Sequence, residues 1–230
     1  MATQARGDPM ADGSETADLG RQNIMVRRYF LPALAALLIV TGGASRSAAQ
    51  TGDASLFIRD LIHRGFAILQ ANVNDAGGRE AGLRKLMKET FDFPLIARFV
   101  LGKHWQELSD EQRGEYVQLF TEHALGIYTS KAVGFTSDVT VSVSEEAIDD
   151  RDFAVNALIQ FPDDKLFPLA WRVRRYDHGY RVVDIMLAGV SIVRVHRSEF
   201  ISVIRNEGLA GFIDALRERV DERVATATAN

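Results

Sequence analysis

Five histidines and a scatter of carboxylates are the side chains of this chain with the reach to do acid–base or metal chemistry, and cysteine is absent from its 230 residues. The absence excludes disulfides, thiolate metal sites and Cys nucleophiles at once. His63, His104, His123, His178 and His196 form no H-E-x-x-H motif and no pair at metal-ligand spacing, so no metal is expected. His178 falls in a turn, and the other four lie among charged residues and are expected to be exposed. No G-x-S-x-G, Walker or dinucleotide glycine pattern occurs, and Gly77-Gly78 reads as a loop breaker.

Asp184 is the most interesting carboxylate. It interrupts the apolar run Val182, Val183, Ile185, Met186 and Leu187, and a half-buried carboxylate has the perturbed pKa of a general base. The competing expectation, and the favoured one, is an ion pair with Arg197, Arg98 or Arg172, since structural pairs perturb pKa values as well. Glu145-Glu146, Asp149-Asp150 and Asp163-Asp164 read as solvated turns.

The elements that would position these groups follow from apolar spacing. Phe57, Leu61, Ile62, Phe66 and Leu69 recur at helical intervals over 54–71. Leu83, Leu86, Met87 and Phe91 mark a second helix ending near Asp92, and Phe93 to Leu101, with Pro94 in the first turn, a third. Ser109 and Gln112 make a capping box for a long helix to about Ala132. From Ser137 the period becomes two, in Val139, Val141 and Val143, and strand-like runs follow at 152–161, 166–175 and 179–187. Their short turns imply an antiparallel meander of four strands. Apolar residues on both faces of 152–161, Ala154 and Leu158 against Val155 and Ile159, argue against a sheet covered on one face only. Ser191 caps a helix through Ile204, Gly208 opens a last one, and the tail 221–230 is expected to fray. Helices, then strands, then helices make one α+β domain with helices packed on a sheet face.

The composition fits such a domain. Hydrophobic residues make up 47% and charged residues 25%, and Lys and Arg (27) are outnumbered by Asp and Glu (31), which argues against a nucleic-acid partner. Residues 27–50, RRYFLPALAALLIVTGGASRSAAQ, have the charged, apolar and small-residue regions of a secretory signal, with cleavage expected after Ala49. The apolar stretch from Tyr29 to Val40, broken by Pro32, is too short to cross about 30 Å of hydrocarbon. The general secretory route is favoured over the twin-arginine one. The polar leader before Met25 is unlike a signal n-region, which makes Met25 a candidate start.

Several runs together resemble the MlaC-type family, also called toluene-tolerance proteins. These are Phe91 to Trp105 (FDFPLIARFVLGKHW), Leu108 to Arg113, Phe120 with Tyr128, Val183-Asp184-Ile185, Gly189-Val190-Ser191, Arg197 to Phe200 and Gly208. The match runs from about residue 55 to 218. The resemblance implies a monomeric periplasmic carrier in residues 50–220, with helices wrapped around a twisted four-stranded antiparallel sheet that encloses an apolar lipid pocket. It implies phospholipid, or in a hopanoid-associated branch a polycyclic lipid, as cargo. The implied partners are an inner-membrane ABC-transporter complex and an outer-membrane lipoprotein complex. Neither catalysis nor a cofactor is implied, and Asp184 and Arg197 become structural. Strand parity puts Phe153, Val155, Ile159, Trp171, Val173, Val183, Ile185 and Leu187 on the pocket side of the sheet. Leu95, Phe99, Val100, Leu125, Tyr128, Phe200 and Ile204 are the expected helical contributors.

Overall fold

Two short turns show how tightly the sheet is wound. Asp177-His178 joins strands over two residues, with Gly179 at φ 119°, and Ala188-Gly189 takes φ values of 50° and 78°, the left-handed pair that closes a two-residue hairpin. The structure, a computed structural model, describes residues 52–71, 73–132 and 138–228. The expected signal peptide, its cleavage site and the candidate start at Met25 lie outside these residues.

The order is α1 (Asp53–Ala71), α2 (Ala76–Thr90), α3 (Phe93–Leu101), a 3-10 turn (Gly102–Glu107), α4 (Asp110–Ala132), β1 (Thr140–Ala147), β2 (Asp152–Gln160), β3 (Leu166–Tyr176), β4 (Gly179–Leu187), β5 (Val190–Ser191) and α5 (Ile192–Thr228). The strands form one antiparallel sheet in sequence order, with Val155 opposite Trp171 and Trp171 opposite Ile185. The sheet therefore has five strands rather than four. After Ala188-Gly189 reverses the chain, Val190 and Ser191 pair with Leu187 and Met186 before the helix begins. A bulge at Arg172/Val173 shifts the register, so that Val182 and not Val183 faces Val173.

Local chemistry accounts for the helix ends. Ser109 and Gln112 cap α4 reciprocally: the Ser109 amide donates to Gln112 Oε1 at 2.9 Å and the Gln112 amide to Ser109 Oγ at 3.2 Å. Asp92 accepts from the Leu95 amide at 3.0 Å at the start of α3, and its other oxygen accepts from the Tyr176 hydroxyl, tying that helix to β3. Gly208 breaks α5 at φ 76° and ψ 167°, where the sequence places the last helix start. The helix then continues to Thr228. Its far turns lie along α4, where a Cβ at Gly126 would meet Arg223 Cδ at 2.4 Å.

The interior has two apolar clusters. One lies among helices, with Val100, Leu101, Tyr116, Phe120, Leu125, Phe200 and Phe212 buried between α3, α4 and α5. The other lies between α1 and the sheet, where Ile58, Leu61 and Ile62 cover Val155, Ile159, Trp171, Val173 and Val182. The sheet is covered on one face: Val155, Ala157 and Ile159 are buried, whereas Leu158 on the opposite face is 38% exposed. The apolar residues found on both sides of β2 do not signal a second covering layer.

Candidate functional site

The two clusters do not close on each other. Between them lies a cavity of about 320 Å³. From α1 it is lined by Leu61, Ile62, Gly65, Phe66 and Leu69, and from α2 and its end by Leu83, Leu86, Met87 and Phe91. Helix α3 adds Phe93 and Ile96, and α4 adds Phe120, Ala124, Tyr128 and Ala132. The sheet side consists of Ile159, Phe161, Phe167, Leu169, Trp171, Asp184 and Ile185, and α5 closes it with Ile192, Val193 and His196. Gly65 shows how the space is kept. It follows Leu61 and precedes Leu69 on the same stripe of α1, and a Cβ there would touch nothing nearer than Leu86 Cδ2 at 3.8 Å.

Of the residues expected at a lipid pocket, Tyr128, Ile159, Trp171 and Ile185 lie on the wall of this cavity. The other expected contributors lie elsewhere. Val155 and Val173 are fully buried in the sheet cluster, and Phe153 packs beside Tyr180 at 6.0 Å. Val100, Leu125, Phe200 and Ile204 fill the helical cluster. Val183 sits at the bulge, and Leu187 pairs with Val190 at the end of the sheet. Leu95 and Phe99 are on the outer side of α3, with Phe99 50% exposed. The reason is shared: a filled core and a lined cavity call for the same side chains, and only the separation of the elements decides which forms. The α1 and α2 contribution was missed, although Gly65 in the middle of the apolar stripe of α1 is a sequence signal of missing volume.

Three polar side chains interrupt the wall. The Asp184 carboxylate is held by its own end of the sheet and the start of α5: Oδ2 accepts from Ser191 Oγ at 2.5 Å, and Oδ1 from the amides of Ile185 at 2.8 Å and Val193 at 3.2 Å. Ser191 Oγ in turn accepts from the Arg194 amide at 3.1 Å, capping α5 as its sequence suggests. Among the described residues the expected ion pair of Asp184 with an arginine is not formed. Arg172 instead joins Arg174 on the buried Asp152, whose carboxyl the Arg174 guanidinium, against the cost of burial, holds below its usual range with help from Arg172. Arg197 lies over the Phe99 ring at 5.3 Å. A carboxylate beside a helix start gains from the exposed amides what a guanidinium would otherwise supply.

The expectation of exposed histidines holds for His63 and fails for His104, whose side chain is 15% exposed, and for His123 and His196. His196 is 9% exposed, lies 2.6 Å from the Tyr128 hydroxyl through Nε2, and shares an aromatic group with Phe120, His123 and Phe200. Burial, helped by His196 and by Arg219 and Arg223, lowers the His123 pKa to about 4. Burial likewise raises that of the Tyr128 hydroxyl, assisted by Glu199 and Asp184. Among the described residues no group of three His, Asp or Glu side chains is placed to hold a metal ion, and no helix is long and apolar enough to cross a membrane.

A five-stranded antiparallel meander, with helices standing off one face to leave an apolar internal cavity, defines an α+β pocket protein. The family of MlaC proteins matches residues 59–218, and the chain belongs to that family. Among solved structures, a phospholipid-binding protein from Ralstonia solanacearum, determined in complex with a phospholipid, superposes with a TM-score of 0.66 at 20% identity. The superposition covers 75% of this chain and 99% of that one. At that identity the likeness establishes the fold. No curated protein matches the sequence.

Proposed function

We propose that this protein is a periplasmic phospholipid carrier, released by signal-peptide cleavage near Ala49, that moves lipid between an outer-membrane lipoprotein complex and an inner-membrane ABC-transporter complex. The observation that carries the reading is the apolar cavity of about 320 Å³ at the seam of two otherwise closed clusters. Allowing roughly 30 Å³ for each water-sized group, it takes on the order of ten methylenes, a large part of one long acyl chain. At about 0.8 kcal/mol per CH₂, that is on the order of 8 kcal/mol of gross burial relative to water. A bilayer offers the chains nearly the same environment, so exchange between membrane and carrier is close to balanced while escape into water is not.

Membership of the MlaC family supports this, as does the phospholipid held by the Ralstonia protein on the same fold. Asp184 has both carboxylate oxygens engaged by Ser191 and backbone amides, which suits a structural brace better than a general base. Protein purified from its native compartment should yield phospholipid at a stoichiometric ratio on extraction and lipid mass spectrometry. An Ile185→Arg variant, with a charge in the cavity wall, should lose that lipid while keeping its circular dichroism spectrum. Repeated isolation of folded wild-type protein without lipid would refute the carrier reading, and a polycyclic lipid would replace phospholipid as cargo.

A further inference from the structure

Of the runs that carry the family resemblance, Phe91 to Trp105 places only Phe91, Phe93 and Ile96 on the cavity, and Arg197 to Phe200 places none. Leu95, Arg98, Phe99, Lys103, Trp105 and Arg197 line instead a surface groove of about 400 Å³ on the outer side of α3. We propose that this groove docks an acidic, amphipathic segment of a partner protein, with its apolar side chain between Phe99 and Trp105 and its carboxylates on the three cations.

Charge and shape carry the assignment. Arg98, Lys103 and Arg197 have no carboxylate within 4 Å among the described residues; other cations such as Arg175 and Arg205 share that lack, but these three converge on one groove. Three unneutralised cations on a chain of net charge −4 make a local field opposite to that of the whole molecule. The groove lies at the C-terminal end of α3, where the helix dipole contributes about half a negative charge, too little to cancel three cations. Arg197 is fixed there: its Nη1 donates to the Phe99 carbonyl at 2.9 Å, and its Nη2 would meet a Cβ on Gly102 at 2.7 Å. The mixture of exposed aromatic and arginine is that of an interface centre. A concave floor, with Leu95 and Trp105 recessed, receives a side chain better than it meets a flat bilayer.

The groove also adjoins the cavity through single helices. Ile96 faces the cavity while Leu95 and Phe99 face the groove, and on α5 His196 and Arg197 divide the same way. A segment seated in the groove therefore bears directly on two walls of the cavity.

The test uses fluorescence anisotropy with a labelled peptide of about fifteen residues carrying Glu and Leu at helical spacing. Saturable binding is expected at low salt, weakening as salt rises, and about tenfold weaker for the Arg98→Glu/Lys103→Glu variant or for a peptide with Gln in place of Glu. Both substituted residues are exposed, so circular dichroism and bound lipid should match the wild type. Equal affinity for the folded variant, or no saturable binding, would overturn the proposal. So would charge-dependent binding to phosphatidylglycerol vesicles in place of the peptide, which would assign the groove to a membrane surface. Because lipid content is read separately, none of these results depends on the carrier reading.

Discussion

Gly65 offers a clean perturbation of the cavity, because the residue is on its wall and the space beside it is open. In Gly65→Leu the new Cβ makes an ordinary contact with Leu86 Cδ2 at 3.8 Å, and the rest of the side chain projects into the cavity. The helix itself gains roughly 0.5–1 kcal/mol, because glycine in a helix interior is the costlier residue. The four added carbons displace about four acyl methylenes, which at about 0.8 kcal/mol each removes about 3 kcal/mol of lipid binding, or on the order of a hundredfold in affinity. Gly65→Ala should remove about a quarter of that. Affinity is read by competition against a fluorescent acyl-chain probe, and stability by thermal unfolding of delipidated protein. The same measurement on Val155→Leu, in the filled sheet cluster, separates core from cavity: overpacking there should cost stability by about 1–3 kcal/mol and leave binding of the surviving fold little changed. Undiminished binding by a Gly65→Leu protein at least as stable as the wild type would refute the placement of acyl chains in this cavity.

Three further outcomes test the framework around it. His123 is held neutral, with a pKa near 4 against an ordinary 6.5; unfolded chains take up the proton first, so this stabilisation is complete above about pH 6.5 and lost as pH falls toward 4, a drop of about 2–3 kcal/mol. A His123→Phe variant should flatten that part of the denaturant-midpoint profile against pH, and an unchanged slope would show that another group is responsible. Asp152→Asn leaves two guanidinium groups without their shared buried carboxylate and should cost about 2–3 kcal/mol in urea unfolding, less than a fully buried pair because both arginines reach solvent. Gly102→Ala puts a Cβ at φ 61° and against Arg197 Nη2, and should cost about 1–3 kcal/mol. Thermal unfolding measures that cost, and a cost near zero would mean that Arg197 is not fixed at the end of α3.

How far the sequence reached can be read from particular elements. The start of α3 at Phe93, the capping box at Ser109 and Gln112, the strand limits at 152 and 179 and the break at Gly208 were all legible, because caps, glycines and hydrophobic period are local properties of the chain. So was the family, through runs of residues in a fixed order. The fifth strand was not, since two residues carry no period and their pairing rests on the turn at Ala188 and Gly189. The partner of Asp184 was missed because it is the exposed start of a helix, not a side chain of opposite charge.

The largest gap between sequence and structure is the division of apolar residues between wall and filling. Val155 and Ile159 are alike in chemistry and parity, both point toward the helices, and one is sealed beneath Ile58 while the other faces the cavity. Burial rewards both equally, so composition and spacing determine that an interior exists and which residues enter it. Whether that interior is closed or hollow was decided by how far α1 and α2 stand from the sheet, a distance set jointly by contacts far apart in the chain.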